Sequence, residues 1–411
     1  MASYELNFYR LYRPELYTPN CNSINESIVY RSGSHAVPTI LFPDHDDIVL
    51  SVTNSDSIVI FLMKSGKVLL LGRGSFVIGN PNYDDGEDPD KLHELNTEKL
   101  REMDKSPFKQ LCATNSVLYA VMESGRLFSI NDVWKEEKFG QEEALHFEYV
   151  GTGLSHMMAI TNNHEVYGTG SDAYGCLGGC GGGKIKFEYV LDEDDHILDV
   201  YPAYYRTLVV TANGKLLTTG WGVYSQQGLG NSSGDNPRFV RHQPMNDLGE
   251  HVIKLALGAL HTIVLTKSRK VYGFGFNSYG QLSQGEVTSD FGFPVLIETP
   301  QPIVDIWCGW HHTLFESSTG SFYCSGSNGS NEMLGVEDDL KGKNIYNLTS
   351  FSTPENEEYL RWKIGVCSFS SNTYYHGIRL TGKRIEWMLA NLKAMTRARC
   401  EYSDLTFDWE C

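Results

Sequence analysis

LALGALHTIVLTKSRKVYGFGFNSYGQLSQG, residues 255–285, contains two strand candidates joined by a tight connection. Thr262, Ile263, Val264, Leu265 and Thr266 are β-branched or apolar, and Lys270 to Phe274 form a second such run. Working outward, the same pattern returns at residues 150–178 (VGTGLSHMMAITNNHEVYGTGSDAYGCLG), 200–230 (VYPAYYRTLVVTANGKLLTTGWGVYSQQGLG) and 306–335 (IWCGWHHTLFESSTGSFYCSGSNGSNEMLG). Looser copies lie at 58–74 (IVIFLMKSGKVLLLGRG) and 118–131 (LYAVMESGRLFSIN), and an eroded one at 372–386 (NTYYHGIRLTGKRIE). In the last copy His376 is set beneath His261.

Glycines at the end of the second strand align as Gly72, Gly170, Gly220, Gly275 and Gly326, with Ile130 taken as the equivalent in the second copy. The steps between them are 58, 40, 50, 55 and 51 residues, a period that suits propeller blades. In the fourth copy Asn213-Gly214 is a strong hairpin turn. Flanking runs such as 293–297 and 304–306 supply outer strands, giving four short strands per unit. A lone blade cannot bury both faces; packing it between two neighbours does, and closing the ring protects most edges. The innermost strand is the tightest place, and Gly151, Gly153, Gly258 and Gly309 fit there.

The expectation is therefore an all-β, seven-bladed β-propeller over residues 1–386, with an insertion at 80–106 in the first repeat. The alternating segment Tyr4–Tyr9 is expected to close the ring by joining the last blade. Residues 387–411 form an extension that reads as partly helical, with Leu389, Leu392 and Met395 at helical spacing. The insertion holds nine acidic residues, and part of it, 90–103, reads as a short helix.

The stretches GALHTIVLT…KVYGFGFNSYGQL (258–282), WCGWHHTLFESSTGSFYCSGSN (307–328) and VGTGLSHMMAIT…EVYGTGSDAYGCLG (150–178) resemble the signature of the regulator of chromosome condensation family. The resemblance implies a seven-bladed propeller. It also implies a role among that family's protein-binding scaffolds and regulators, which include an exchange factor for the small GTPase Ran that also binds the nucleosome. Exchange factors in this family act through loops on one face and perform no covalent chemistry.

Composition narrows the function. Of 411 residues 41% are apolar and 21% charged, as in folded proteins, and formal net charge is -17. That charge opposes phosphate backbones, and no Lys/Arg block offsets it. An odd number of cysteines, nine, spread along the chain favours a reducing compartment over a disulfide framework. Neither a signal-peptide pattern at the start nor an apolar run long enough to span a membrane is present, so the expected location is cytoplasmic, nuclear or both. No P-loop, dinucleotide fingerprint, nucleophile elbow or zincin motif occurs. Cys176 and Cys180 lie in a glycine loop and lack two further ligands at zinc spacing. The reading is no enzyme, no cofactor and no metal.

The repeated histidines 156, 261, 311, 312 and 376 are read as residues that fix blade turns. Candidate partner-binding residues are Tyr204, Tyr205, Arg206, Trp310, His311, His312, Tyr375 and His376, expected together on one face because they occupy equivalent positions. Trp221 and Tyr224 are expected on the opposite face. The function so read is a non-enzymatic protein-interaction scaffold with protein partners, a basic protein or a small GTPase among them. The alternative is a guanine-nucleotide exchange factor or regulator for a small GTPase. The charge generates a direct expectation: no specific binding to duplex DNA at physiological salt, checked by a mobility-shift titration in which a retained complex at that salt contradicts the reading.

Overall fold

The computed structural model describes residues 24–32, 39–41, 47, 49–54, 58–72, 92–140, 144–187, 189–230, 234–285, 290–328, 343–351, 361–366 and 373–380. The Tyr4–Tyr9 segment and the extension 387–411 lie outside them. The described residues form seven four-stranded antiparallel sheets. Six are built from consecutive strands; in the fifth blade these are Val252–Leu257, His261–Thr266, Val271–Phe276 and Asp290–Ile297. The expected pairing of 262–266 with 270–274 is thus the middle of a blade. Residues 304–306, expected as an outer strand, belong to Ile303–Cys308, the first and innermost strand of the sixth blade.

First strands of neighbouring blades touch one another all the way round, including the contact of Arg361–Val366 with Val49–Asn54. The seventh sheet closes the ring by combining both ends of the chain. Arg361–Val366 and Thr373–Leu380 come from the C-terminal side, Ile24–Ser32 and Thr39–Leu41 from the N-terminal side. Closure is by an N-terminal strand, as expected, but that strand is Ile24–Ser32, held against 373–380 in register from Ile24↔Leu380 to Ser32↔Thr373. Its β-branched Ile28 and Val29 favour extended backbone.

Why the second strands are continuously apolar is now plain. Ile263 and Leu265 pack with Ile306, Phe315 and Tyr323 of the sixth blade. Val264, from the other side of the same strand, packs with Leu208, Val210 and Leu216 of the fourth. A strand covered on both faces has no polar side to alternate with. The acidic insertion is shorter than the sequence suggested. Leu92–Glu94 supplies the first blade's own fourth strand, paired with 69–71. The helix covers only Glu98–Met103, where Leu100 is buried and Met103 packs on the core between the first two blades. Among the described residues no helix is long and apolar enough to cross a membrane.

Blades three to six are also joined by a polar repeat. Each second strand opens with a basic residue, His156, Arg206, His261 or His312, and all four are buried. The His156 Nε2 lies 3.0 Å from the Thr207 hydroxyl of the next blade, and Thr207 donates to the Cys176 carbonyl. His261 makes the same 3.0 Å contact with Thr313, which donates to the Gln281 carbonyl. Because each threonine spends its one proton on a carbonyl, it accepts from the imidazole, so Nε2 carries a proton in both rings, and burial, which lowers both imidazoles, disfavours a second one. Arg206 instead crosses to the fifth blade and donates to the carbonyls of Gly258, Ala259 and His261. Burial lowers its guanidinium to about 9, still protonated at neutral pH. In the first two blades the position is apolar, Ile58 and Val117.

The residue three places earlier decides which base fits. A Cβ on Gly153, Gly258 or Gly309 would lie 2.1–2.2 Å from the imidazole of His156, His261 or His312. In the fourth blade that place is Ala203, and its partner is the longer, linear Arg206. Glycine thus accompanies histidine and alanine accompanies arginine. The strand-end glycines answer a second demand. Gly170, Gly220, Gly275 and Gly326 all have φ near +100°, and a Cβ would strike the carbonyl just before the buried base. Register places Asn131, not Ile130, in this position of the second blade, since Leu118 pairs with Ile130 whereas His261 pairs with Gly275 itself.

The pairing rule predicts that Arg206→His alone destabilises by several kcal/mol, because its ring meets the Ala203 methyl and the blade-five carbonyls lose their donor. Adding Ala203→Gly should restore part of that loss, with a coupling of about 1–3 kcal/mol in a double-mutant cycle by denaturant unfolding. Strict additivity of the two changes would contradict the rule.

Candidate protein-interaction face

The turn between first and second strands and the end of the third strand lie at the same edge of an antiparallel blade. Arg206 pairs with Gly220, so Tyr204 and Tyr205 sit beside Trp221 rather than across the ring from it. The expectation that Trp221 and Tyr224 occupy the opposite face is therefore overturned. The residue after each positive-φ glycine turns back and donates its N–H to the carbonyl before the base: Ser171 to Ser155, Trp221 to Tyr205, Phe276 to Leu260 and Ser327 to His311.

This geometry assembles a continuous aromatic stripe. Tyr204 and Tyr205 have centroids 4.5 Å apart, and both contact Trp221, at 5.8 and 6.2 Å. Tyr174 of the third blade reaches Tyr205 at 5.4 Å and Trp221 at 5.9 Å. Trp221 leads to Tyr224 at 5.4 Å, and Tyr224 to Phe276 of the fifth blade at 5.9 Å. Phe276 and Tyr279 meet His311 of the sixth blade at 6.0 and 4.7 Å, and His311 meets Trp310 at 5.7 Å. Tyr174, Tyr224 and Trp310 keep 47%, 40% and 36% of their surface exposed. Tyr174 and Tyr204 hold φ of +60° and +42°, a conformation bulky residues seldom adopt and one associated with functional sites.

The candidates thus divide. Tyr204, Tyr205, Trp310 and His311 form part of the stripe. Arg206 and His312 are buried in the joints between blades and leave the face without the basic character the sequence implied. Tyr375 and His376 lie within the ladder of Thr373–Leu380, facing Ile364 and Lys363, not in a loop. Thr373, opposite the last residue of its first strand, takes the place of Thr262, so His376 does not correspond to His261. Tyr174, Phe276 and Tyr279 were missed. The signal was present: a tyrosine stands four residues after the strand-end glycine in three successive blades, Gly170/Tyr174, Gly220/Tyr224 and Gly275/Tyr279.

The same threonines that receive the buried bases hold the tyrosine loops. Thr207, Thr262 and Thr313 donate to the carbonyls of Cys176, Gln226 and Gln281, each two residues beyond the stripe tyrosine. The side chains of Gln226 and Gln281 accept from the backbone N–H of Tyr224 and Tyr279. The loops are fixed by packing before any partner arrives. No group of three or more His, Cys, Asp or Glu residues positioned to hold a metal ion occurs among the described residues.

The regulator of chromosome condensation (RCC1) repeat matches residues 252–281 and 270–315, the two units that carry the best-formed joint. The chain is an RCC1-like repeat protein. The Arabidopsis thaliana ultraviolet-B receptor UVR8 is 27% identical over 306 residues, covering 70% of this chain and 67% of that protein. The Danio rerio RCC2 homolog is 36% identical over 127 residues, 30% of this chain and 25% of that one. Among solved structures, Prp20p of Saccharomyces cerevisiae superposes with a TM-score of 0.71 at 13% identity over 90% of this chain and 96% of its own. Human WBSCR16 gives 0.66 at 15% identity over 86% and 98%. The structural similarities speak to fold alone.

Burial makes this RCC1-like propeller acid-sensitive. It holds His156 and His242 down at about 4 and His312 at about 3, and keeps His261 well below its usual value. Unfolded, each titrates near 6.5. Between those values the unfolded chain binds more protons, so stability is full above pH 6.5 and falls as pH drops toward 4. Each histidine contributes a slope of up to about 1.4 kcal/mol per pH unit. Calorimetric unfolding at pH 5 to 6 in buffers of differing ionisation enthalpy should register uptake of several protons; uptake near zero would contradict the neutral joints.

Proposed function

We propose that this protein is a non-enzymatic protein-interaction scaffold, acting in the cytoplasm or nucleus, whose partner docks on the aromatic face. The observation that carries this reading is the stripe itself, which runs unbroken over four blades and ends in exposed tyrosine and tryptophan. Tyr and Trp dominate interface hot spots because they combine large apolar area with few rotors and a polar tip. The joints beneath lower the ordering cost of docking.

The second reading is nucleotide exchange on a small GTPase. Prp20p, the structural neighbour, is described with binding to Gsp1p and histones. The feature of this chain that favours exchange is the pair of carboxylates, Asp172 and Asp235, in the loops of the stripe. Exchange requires tighter binding to the nucleotide-free GTPase than to the loaded one, and a partner bound equally in both states shifts nothing.

A photo-crosslinking residue replacing Tyr224 or Trp310 should capture a stoichiometric protein partner, whereas one at Asn213 on the hairpin turns should capture none. Capture only from Asn213 would move the function to the other face. In parallel, catalytic amounts of the protein should leave the release of fluorescent GDP from Ran unchanged. Acceleration abolished by Trp310→Ala would establish the exchange reading instead.

A further inference from the structure

The two faces of the ring differ in charge as well as in shape. The described residues of the loops that carry the stripe, 171–182, 204–205, 221–230, 234–235, 258–260, 276–285 and 309–311, contain no lysine or arginine. They contain Asp172 and Asp235, and Asp290 opens the adjoining strand. Asp172 accepts the backbone N–H groups of Leu177 and Gly181, Asp235 that of Gly222, and neither makes an ion pair among the described residues. The hairpin turns at the opposite end carry Lys64, Lys67, Arg126, Lys215, Lys267 and Lys270 beside acidic partners, with Lys67 paired to Glu94, Arg126 to Glu136 and Lys270 to Glu250.

From this, and resting on the reading of the face as an interaction surface, we propose that the stripe binds an extended, arginine-bearing segment of a partner protein. The electron-rich faces of Trp221, Tyr224 and Trp310 attract a cation, and tryptophan does so best. A planar guanidinium stacks on such a ring and still donates its N–H groups to a nearby carboxylate; an ammonium cannot do both. Asp235, fixed at the turn beside Gly222, and Asp172, fixed beside Tyr174 in the loop of the third blade, are the acceptors. The path from Tyr174 through Trp221, Tyr224, Phe276 and His311 to Trp310 consists of five steps of 5.4–6.0 Å. At about 3.3 Å per residue, an extended segment of roughly nine residues follows it. A second copy of this chain is the poorer occupant. A two-fold contact between stripes would set acidic loop against acidic loop with no cation in either.

The test uses three labelled nine-residue peptides of alternating glycine and arginine, glycine and lysine, or glycine and glutamate, followed by fluorescence anisotropy on the full chain. The arginine peptide should bind about two- to fivefold more tightly than the lysine peptide, the margin expected of stacking, and the glutamate peptide should not bind. The exposed Tyr224→Ala should weaken arginine binding severalfold at unchanged melting temperature, and Trp221→Ala, which also removes packing against four rings, should weaken it at least as much. Asp235→Asn should remove most of the preference for arginine, and Lys215→Ala on the far face should change nothing. Equal affinity for arginine and lysine peptides, untouched by Trp221→Ala and Tyr224→Ala, would reduce binding to bulk electrostatics and overturn the proposal. So would a dimer in sedimentation that Trp221→Ala dissociates. If no peptide binds while crosslinks from position 224 still capture a partner, arginine recognition falls and the interaction face stands; if both fail, both fall.

Discussion

A buried base that reaches across to the next blade is the constraint on which the third to sixth blades and the face they carry depend. Blades meet through apolar side chains, and apolar contact is non-directional. It would permit a blade to slide or tilt by an ångström with little penalty. The contact of His156 with Thr207, or of His261 with Thr313, does not permit this, because a polar pair out of water loses far more when misaligned than it gains when made. Each joint therefore sets the rotation of one blade against its neighbour. Glycine three residues before the histidine and glycine at the end of the third strand are parts of the same device: one makes room for the ring, the other lets the chain fold back over it.

The joint also determines what the surface presents. Each threonine has one proton, and that proton goes to the carbonyl two residues past a tyrosine of the stripe. The loop is thereby tied to the interior of the next blade. Two tyrosines with positive φ, 174 and 204, persist because the surrounding hydrogen bonds over-determine their backbones. Neighbouring turns are chained as well, with Leu154 donating to the Tyr204 carbonyl and Ala259 to that of Trp310. The result is a rigid row of rings with carboxylates and no lysine or arginine in its described loops, opposite a hairpin face of mixed charge. A rigid aromatic surface spends little entropy on binding.

The blades themselves were legible in the chain, because a strand needs only local information. β-branched runs, Asn213-Gly214 and the recurring strand-end glycine specify hairpins whatever surrounds them, and repetition at about fifty residues makes a ring the economical arrangement. Closure from the N-terminal side was legible too, but not the strand that does it. Ile24–Ser32 carries no mark in the chain that singles it out, and its role is set by pairing against Thr373–Leu380. The same limit affected His376, which its pairing with Lys363 places inside a strand.

The site was half legible for a related reason. Sequence determined that aromatic residues accumulate at the two loops flanking the central hairpin, and that the chain is acidic and free of catalytic motifs. It could not determine which of these residues face water. Arg206 and His312 look like surface residues, since arginine is rarely buried and histidine titrates near neutrality; the interior location of Arg206 follows from carbonyls supplied by another blade more than fifty residues away. Nor could it place Trp221 next to Tyr205, because that adjacency arises from antiparallel pairing and a glycine at φ +97°. Composition and period are properties of the chain, whereas exposure and adjacency are properties of contacts between blades, and those exist only once the ring is closed.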